Sequence, residues 1–311
     1  MFFLQYIVID FEWNQPTVKE KTITEPVVLN GEIIRIGAVR LTLTADGCTP
    51  SDTFQISVLP KYYKKMNSAV GRVTGLGSSA LTFGYDFTTC YSHFCKWCSP
   101  NGEDFCLLAW GGEDERILLS NLEIHGITDL PIPRVYDIQR IFTIEIAKKN
   151  KQYSVQAALE FLGLEADLKA HVALNDAIFA ARIGAAINVC MRLEHYDRMI
   201  ADDEAQRSLR YFRSYHNIPT KDDVLSNRKI MNRICPVCRK RLIECGEWVW
   251  QDDFTVISFG SCHEHGDFYV RIRMRETDSG KYTVTKMLRP STEQCMAFYE
   301  SKQEVTAGSN Q

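Results

Sequence analysis

Gln5-Tyr6-Ile7-Val8-Ile9-Asp10-Phe11-Glu12-Trp13-Asn14 carries an apolar run that ends in two carboxylates two residues apart. The uninterrupted apolar residues predict a buried strand over Gln5 to Ile9. Side chains alternate along a strand, so Asp10 and Glu12 share one face and Phe11 turns to the other, into core. A strand that delivers two acids to one spot is the point around which the rest of the chain can be arranged.

Downstream, Glu32 to Thr44 and Phe54 to Leu59 read as second and third strands. Asp46-Gly47 between them is a turn signal, so an antiparallel meander is expected. Helical spacing follows at Tyr85 to Trp97, a strand at Phe105 to Ala109, a helix from about Asp114 to His125 and a short strand at Arg134 to Tyr136. Ile138 to Lys149, Val155 to Leu162 and Ala173 to Val189 read as three more helices. An antiparallel start followed by alternating strands and helices predicts an α/β fold with a mixed central sheet flanked by helices.

Two further acidic words lie in this region, Trp110-Gly111-Gly112-Glu113-Asp114 and His171-Val172-Ala173-Leu174-Asn175-Asp176. Asp114 stands at a strand-to-helix junction, His171 precedes a helix, and Asp176 lies about one turn into it. Asp10, Glu12, Asp114 and Asp176 supply the oxygen ligands that a pair of hard divalent cations needs, Mg²⁺ or Mn²⁺. Imidazole in general titrates near ~6.5, which suits His171 to take a proton from water at neutral pH. Singly, each word has an ordinary reading as a solvent-facing strand residue, a helix N-terminal acid or a surface pair. Their order and setting give them joint meaning.

Composition narrows the classes. The 311 residues suggest two domains, or one domain and a small module. With 45% hydrophobic and 24% charged residues the chain is neither disordered nor a membrane protein. A net charge of −3 gives no global attraction for nucleic acid, so such binding needs local basic patches. Met1 to Ile9 lacks a basic n-region and runs straight into Asp10, so it reads as a strand and not a signal peptide. The odd count of 11 cysteines fits free thiols and a metal site better than a disulfide framework, and a cytoplasmic location is expected.

Beyond Glu194 the pattern is polar, with a helix expected over Asp202 to Tyr215 and a break at Pro219. From Ile234 the chain holds Cys235-Pro236-Val237-Cys238 and Cys262-His263-Glu264-His265-Gly266, two ligand pairs separated by a strand-rich stretch. This layout suits one tetrahedral structural Zn²⁺ on Cys235, Cys238, Cys262 and His265, with His263 or Cys245 as substitute fourth ligand. Strands are expected at Trp248 to Trp250, Thr255 to Phe259, Phe268 to Arg275 and Tyr282 to Leu288, and a frayed end from Ser301. Cys95 and Cys98 sit in an apolar helical pattern and read as core. The basic run Arg228 to Arg241, with Trp248, Trp250, Arg271, Arg273 and Arg275, reads either as phosphate and base contacts or as a solvated face. The expected domains are 1–193, a helical connector 194–232, a zinc-ribbon-like module 233–290 and a tail 291–311.

Through Asp-x-Glu, the mid-chain Asp and His-x4-Asp, the chain resembles the DEDDh branch of the DnaQ-like 3′→5′ exonucleases. Ile7 to Asn14, Gly31 to Val39, Trp110 to Asp114 and His171 to Ala177 resemble most the KapD-type sporulation-inhibitor exonucleases and their RNA-trimming relatives. The resemblance spans roughly residues 1–190. It implies a ribonuclease-H-like fold, two Mg²⁺ or Mn²⁺ ions, and hydrolysis of single-stranded RNA or DNA 3′ ends to nucleoside monophosphates, RNA favoured. It further implies that Phe11, Trp13 and Asn14 contact the terminal nucleotide and that Thr74, Gly75 and Leu76 form its pocket, Leu76 wedging against the base. The segment Gln15 to Asn30 is longer than a tight hairpin and departs from that pattern. A non-catalytic RNA- or partner-binding protein on the same fold, or a DNA proofreading or repair exonuclease, remains open on sequence alone.

Overall fold

In the computed structural model, which describes residues 4–149 and 151–308, the chain divides into two compact units, 1–196 and 197–311. In the first, strands β1 (Gln5–Asn14), β2 (Glu32–Thr44), β3 (Gly47–Ser57), β4 (Phe105–Ala109) and β5 (Val135–Asp137) form one sheet in the order β3-β2-β1-β4-β5. β1 runs antiparallel to β2 and parallel to β4, and β5 is parallel to β4, so the sheet is mixed as expected. Flanked on both sides, Ile7, Val8 and Ile9 are at most 1% exposed, which is why that stretch is apolar without alternation.

Helices α1 (Ser68–Thr74), α2 (Phe87–Cys98), α3 (Glu113–Ile124), α4 (Ile138–Ile141), α5 (Val155–Leu162) and α6 (Ala173–Ala186) cover the sheet. The core between α2, α3 and the sheet includes Ile7, Phe11, Ile36, Phe94 and Leu118, and it takes in Cys95 and Cys98 as free buried thiols. The helix expected over Ile138 to Lys149 is α4 followed by a wider π turn, Phe142–Ile146. The one expected to reach Val189 stops at Ala186, where Asn188 turns left-handed with φ 51°.

The helix expected over Asp202 to Tyr215 is corrected. Helix α7 (Leu193–Ser208) ends earlier, and Tyr211–Ile218 is strand β6, pairing with β10 (Tyr282–Pro290). Tyr211-Phe212-Arg213-Ser214-Tyr215 has the aromatic content and two-residue alternation of a strand, which the charged residues around it obscure. Short helices α8 (Lys221–Ser226) and α9 (Arg228–Met231) follow. Then β7 (Val249–Asp252), β8 (Thr255–Cys262), β9 (Gly266–Glu276) and β10 complete an antiparallel sheet, β6-β10-β9-β8-β7. Where a frayed end was expected, helix α10 (Glu293–Gly308) runs past Ser301, and Cys295 and Tyr299 pack on Ile257 and Phe259; residues 309–311 lie outside the described set. Among the described residues no helix is long and apolar enough to cross a membrane.

Candidate active site and metal centre

The first site lies where β1 outruns its parallel neighbour. β4 pairs with Gln5 to Val8 only, leaving the β1 edge beyond Ile9 open at the carboxyl end of two parallel strands. Asp10 and Glu12 project from this segment into a cleft of about 470 Å³, together with Asp114, His171 and Asp176. Carboxylate oxygens of Asp10, Glu12 and Asp176 lie within 4.8 Å of one another. Asp114 is 6% exposed and its Oδ1 accepts the Phe11 backbone N–H at 2.9 Å, so the first turn of α3 is tied to β1 through this carboxylate. Asp176 reaches back from the first turn of α6, and its Oδ2 accepts the His171 backbone N–H at 2.8 Å. His171 is exposed and holds a left-handed φ of 61°.

Gly37 explains how α6 comes so near. It pairs with Asp10 across β1 and β2, and a Cβ there would stand 2.3 Å from the carbonyl carbon of Ala173 and 2.4 Å from the Leu174 nitrogen. Only glycine lets the start of α6 rest on the β2 backbone at the register of Asp10.

Burial raises the proton affinity of all four carboxylates in the cleft, and for Asp10 and Glu12 the neighbouring carboxylates add to it. Burial, then Asp114, Asp176 and Glu12, hold the Asp10 carboxyl well above the usual range. Burial and Asp176 push Glu12 up to about 7 against the opposing pull of Arg35. Burial pushes Asp114 to about 7 despite the Phe11 N–H, and it also raises Asp176 despite the His171 N–H. A cation among these carboxylates would relieve that cost. Oxygens sharing one Mg²⁺ lie roughly 3–4 Å apart, and a pair of ions broadens that span, so the donor set fits hard divalent metal.

The expected nucleotide contacts divide. Trp13 lines the cleft: pairing with β2 skips Ile34 between Glu12 and Trp13, and Gly31 leaves room for the indole, because a Cβ there would lie 2.3 Å from its Cδ1. Phe11 lines it too, although its side chain is buried in the core. Asn14 is corrected. It is fully buried, its amide donates to the Tyr63 and Lys65 carbonyls, both at 2.8 Å, and its oxygen accepts the Asn67 N–H at 3.0 Å. Asn67 in turn caps α1, whose Ala69, Val70, Val73 and Thr74 form the opposite wall. Asn14 therefore positions a wall and is not itself open to a ligand. Thr74 reaches the cleft, whereas Gly75 and Leu76 are not among its lining residues.

Two anchors were not read from the sequence. Glu32, 1% exposed, accepts the backbone N–H groups of Lys61, Tyr62 and Tyr63, and Asn121 accepts the Ile33 N–H at 3.0 Å while donating to the Gly31 carbonyl at 2.8 Å. A polar residue inside an apolar pattern is the signal for such anchors, but sequence does not show what it holds.

In the second unit Cys235, Cys238, Cys262 and His265 present ligand atoms within 4.8 Å of one another. Cys238 Sγ stands 3.6 Å from Cys262 Sγ, and His265 Nδ1 lies 3.7 Å from Cys235 Sγ and 3.5 Å from Cys262 Sγ. Zinc bonds of about 2.3 Å to sulfur and 2.0–2.1 Å to nitrogen make tetrahedral edges of roughly 3.5–3.8 Å, so the cluster fits that ion. His263 is exposed, and the Cys245 thiol donates to the Leu242 carbonyl. Gly266, at φ 72°, closes the β8–β9 hairpin that presents Cys262 and His265.

No family model matches the chain, and no curated protein sequence matches it. Solved structures do. The nuclease domain of 3′hExo, a DEDDh family member solved with rAMP, is 20% identical over 61% of this chain and 92% of its own, with a TM-score of 0.50. A full-length 3′-exonuclease is 20% identical over 63% and 84%, TM-score 0.51. A 3′-exonuclease solved for 3′-end-specific recognition of histone mRNA stem-loop is 19% identical over 59% and 63%, TM-score 0.51. The chain has the ribonuclease-H-like mixed α/β fold of these DEDDh-type exonucleases, and carries a separate second sheet.

Proposed function

We propose that the cleft is the active site of a metal-dependent 3′→5′ exonuclease that hydrolyses single-stranded nucleic acid to nucleoside monophosphates. The observation that carries this reading is the convergence of Asp10, Glu12 and Asp176 within 4.8 Å, beside buried Asp114, on a fold shared with DEDDh nucleases. When bound, two Mg²⁺ or Mn²⁺ ions supply charge neutralisation at the scissile phosphate and at the leaving oxygen. Asp10, Glu12, Asp114 and Asp176 hold them. His171 takes the proton from the attacking water, and its exposed position lets that proton pass to solvent. Its own backbone N–H fixes one oxygen of Asp176 and leaves the other for the cluster. Trp13 and the α1 wall with Val73 and Thr74 hold the terminal nucleotide.

RNA is the favoured substrate: one structural neighbour was solved with rAMP and another for recognition of an mRNA stem-loop, and Ile7 to Asn14, Gly31 to Val39, Trp110 to Asp114 and His171 to Ala177 resemble KapD-type exonucleases. The second unit is a zinc-ribbon-like module whose Zn²⁺, on Cys235, Cys238, Cys262 and His265, is structural: four protein ligands leave no open position for chemistry. Matched RNA and DNA oligonucleotides, incubated with Mn²⁺ and resolved by product, test the assignment. Faster release of 5′-monophosphates from RNA is expected. Equal or faster release from DNA overturns the substrate choice, and tight RNA binding without turnover points to a binding protein on this fold.

A further inference from the structure

Strand β6 is an edge of the second sheet, bonded on one side to β10. Tyr211, Arg213 and Tyr215 alternate along it and therefore share one face. The register sets Arg213 opposite Lys286. With Lys229 and Arg239 these residues line a cavity of about 250 Å³ that has four cationic residues and no carboxylate among its lining. The Arg239 guanidinium lies 5.7 Å over the Tyr211 ring, and that of Arg213 lies 5.3 Å over the Tyr215 ring.

Lys286 is the least ordinary member. It is 2% exposed, and its ammonium donates to the backbone and side-chain oxygens of Asn232, both neutral. Burial, with Arg213 and Arg233 nearby, lowers it to about 8. Buried lysines are normally paired with an anion. Among the described residues no carboxylate lines the cavity to balance it, so an anion entering there would meet uncompensated positive charge. On the opposite face, Arg271, Arg273 and Arg275 line a cavity of about 510 Å³ whose wall also includes Asp252 and Glu276, so that row is partly neutralised. Cations interleaved with aromatic rings and free of carboxylates are the chemistry that holds a single strand, phosphates on the cations and bases on the rings.

We propose that this face of β6 binds single-stranded nucleic acid, with the exposed Arg213, Lys229 and Arg239 holding phosphates, buried Lys286 adding positive charge beneath them, and Tyr211 and Tyr215 stacking bases. The proposal rests on the nuclease reading for its choice of substrate class, but its test is binding, not turnover. Fluorescence anisotropy of a labelled uridine dodecamer is followed with the full chain and no added divalent metal. R213Q/R239Q alters two exposed side chains, and zinc content and melting temperature report that the unit stays folded.

The double variant is expected to bind at least tenfold more weakly. It should also flatten the slope of log K against log salt by about 1.4, two contacts at about 0.7 each for single strands. Y211A is expected to lose roughly tenfold with the slope unchanged, and R273Q/R275Q to stay within twofold of wild type. The proposal is overturned if R213Q/R239Q binds within twofold of wild type, if R273Q/R275Q loses as much, or if inorganic phosphate displaces the dodecamer as well as uridine monophosphate does. A chain that binds as described yet shortens no oligonucleotide with Mn²⁺ would sink the nuclease reading alone. Unchanged binding in R213Q/R239Q beside normal hydrolysis would sink this one alone.

Discussion

Glu12→Gln should stabilise the metal-free protein while disabling its cleft. Ionising Glu12 in the fold is costly because its carboxyl is pushed from 4.5 to about 7 by burial and by Asp176. At ~1.36 kcal/mol per pKa unit this rise corresponds to about 3 kcal/mol. Halved because Glu12 keeps partial contact with water, about 1.5 kcal/mol remains. The sign follows from linkage. A carboxyl whose folded pKa is raised contributes stability that is fully present below 4.5 and lost as pH rises through about 7. Glutamine carries no charge, so at pH 8 it escapes that loss. For a unit of this size about 1.5 kcal/mol is roughly 3–6 °C. Scanning calorimetry in buffer without added divalent metal, read on the transition that Mn²⁺ shifts, should show E12Q melting that much above wild type at pH 8 and the two converging near pH 4. Added Mn²⁺ should raise wild type more than E12Q. An E12Q melting point at or below wild type at pH 8 would refute the charge-crowding argument.

Gly37→Ala changes no site side chain, yet its Cβ meets the Ala173 and Leu174 backbone at 2.3–2.4 Å; hydrolysis should fall on the order of 100-fold as Asp176 moves away from Asp10. Wild-type rates in G37A would show that α6 does not need that approach. Asn14→Ala strands two carbonyls and one N–H, so chemical denaturation should show a loss of about 2–4 kcal/mol, and any rise in KM should accompany that loss as the α1 wall shifts. A stable N14A with a much raised KM would restore Asn14 as a substrate contact. His171→Ala keeps the backbone N–H to Asp176, so Mn²⁺ should still raise the melting temperature while kcat falls roughly 10²–10⁴-fold; full activity would remove His171 as the base. Cys238→Ser should take zinc, measured by elemental analysis, from one equivalent to below about half, and zinc retained at one equivalent would place the ion elsewhere.

The first sheet was legible because its signals are local and strong: the apolar run before Asp10, the Asp46-Gly47 turn and the strand-helix alternation after Phe105. The five polar residues that line the cleft were legible only jointly, through their order, their setting at strand and helix ends and the resemblance they carry. What sequence could not show was which residues hold the walls. Asn14 resembles a ligand contact by position, yet its amide is spent on three backbone groups some fifty residues away, a pairing that exists only in the folded chain. Gly37 looks like an ordinary break in a strand until α6 is seen lying on it. In the second unit, the charged residues before Tyr211 carried the helical pattern too far. That reading scattered Tyr211, Arg213 and Tyr215 around a helix, when a strand sets them on one face beside Lys286.

The most direct test of the cleft as an exonuclease centre is the fate of a 5′-labelled single-stranded RNA with Mn²⁺, wild type beside Asp10→Ala, each with a free or a blocked 3′ end. Wild type should produce a ladder shortened one nucleotide at a time from the free 3′ end, with none from the blocked end and none from D10A. A ladder that persists in D10A, or label released from the 5′ end, would contradict the assignment.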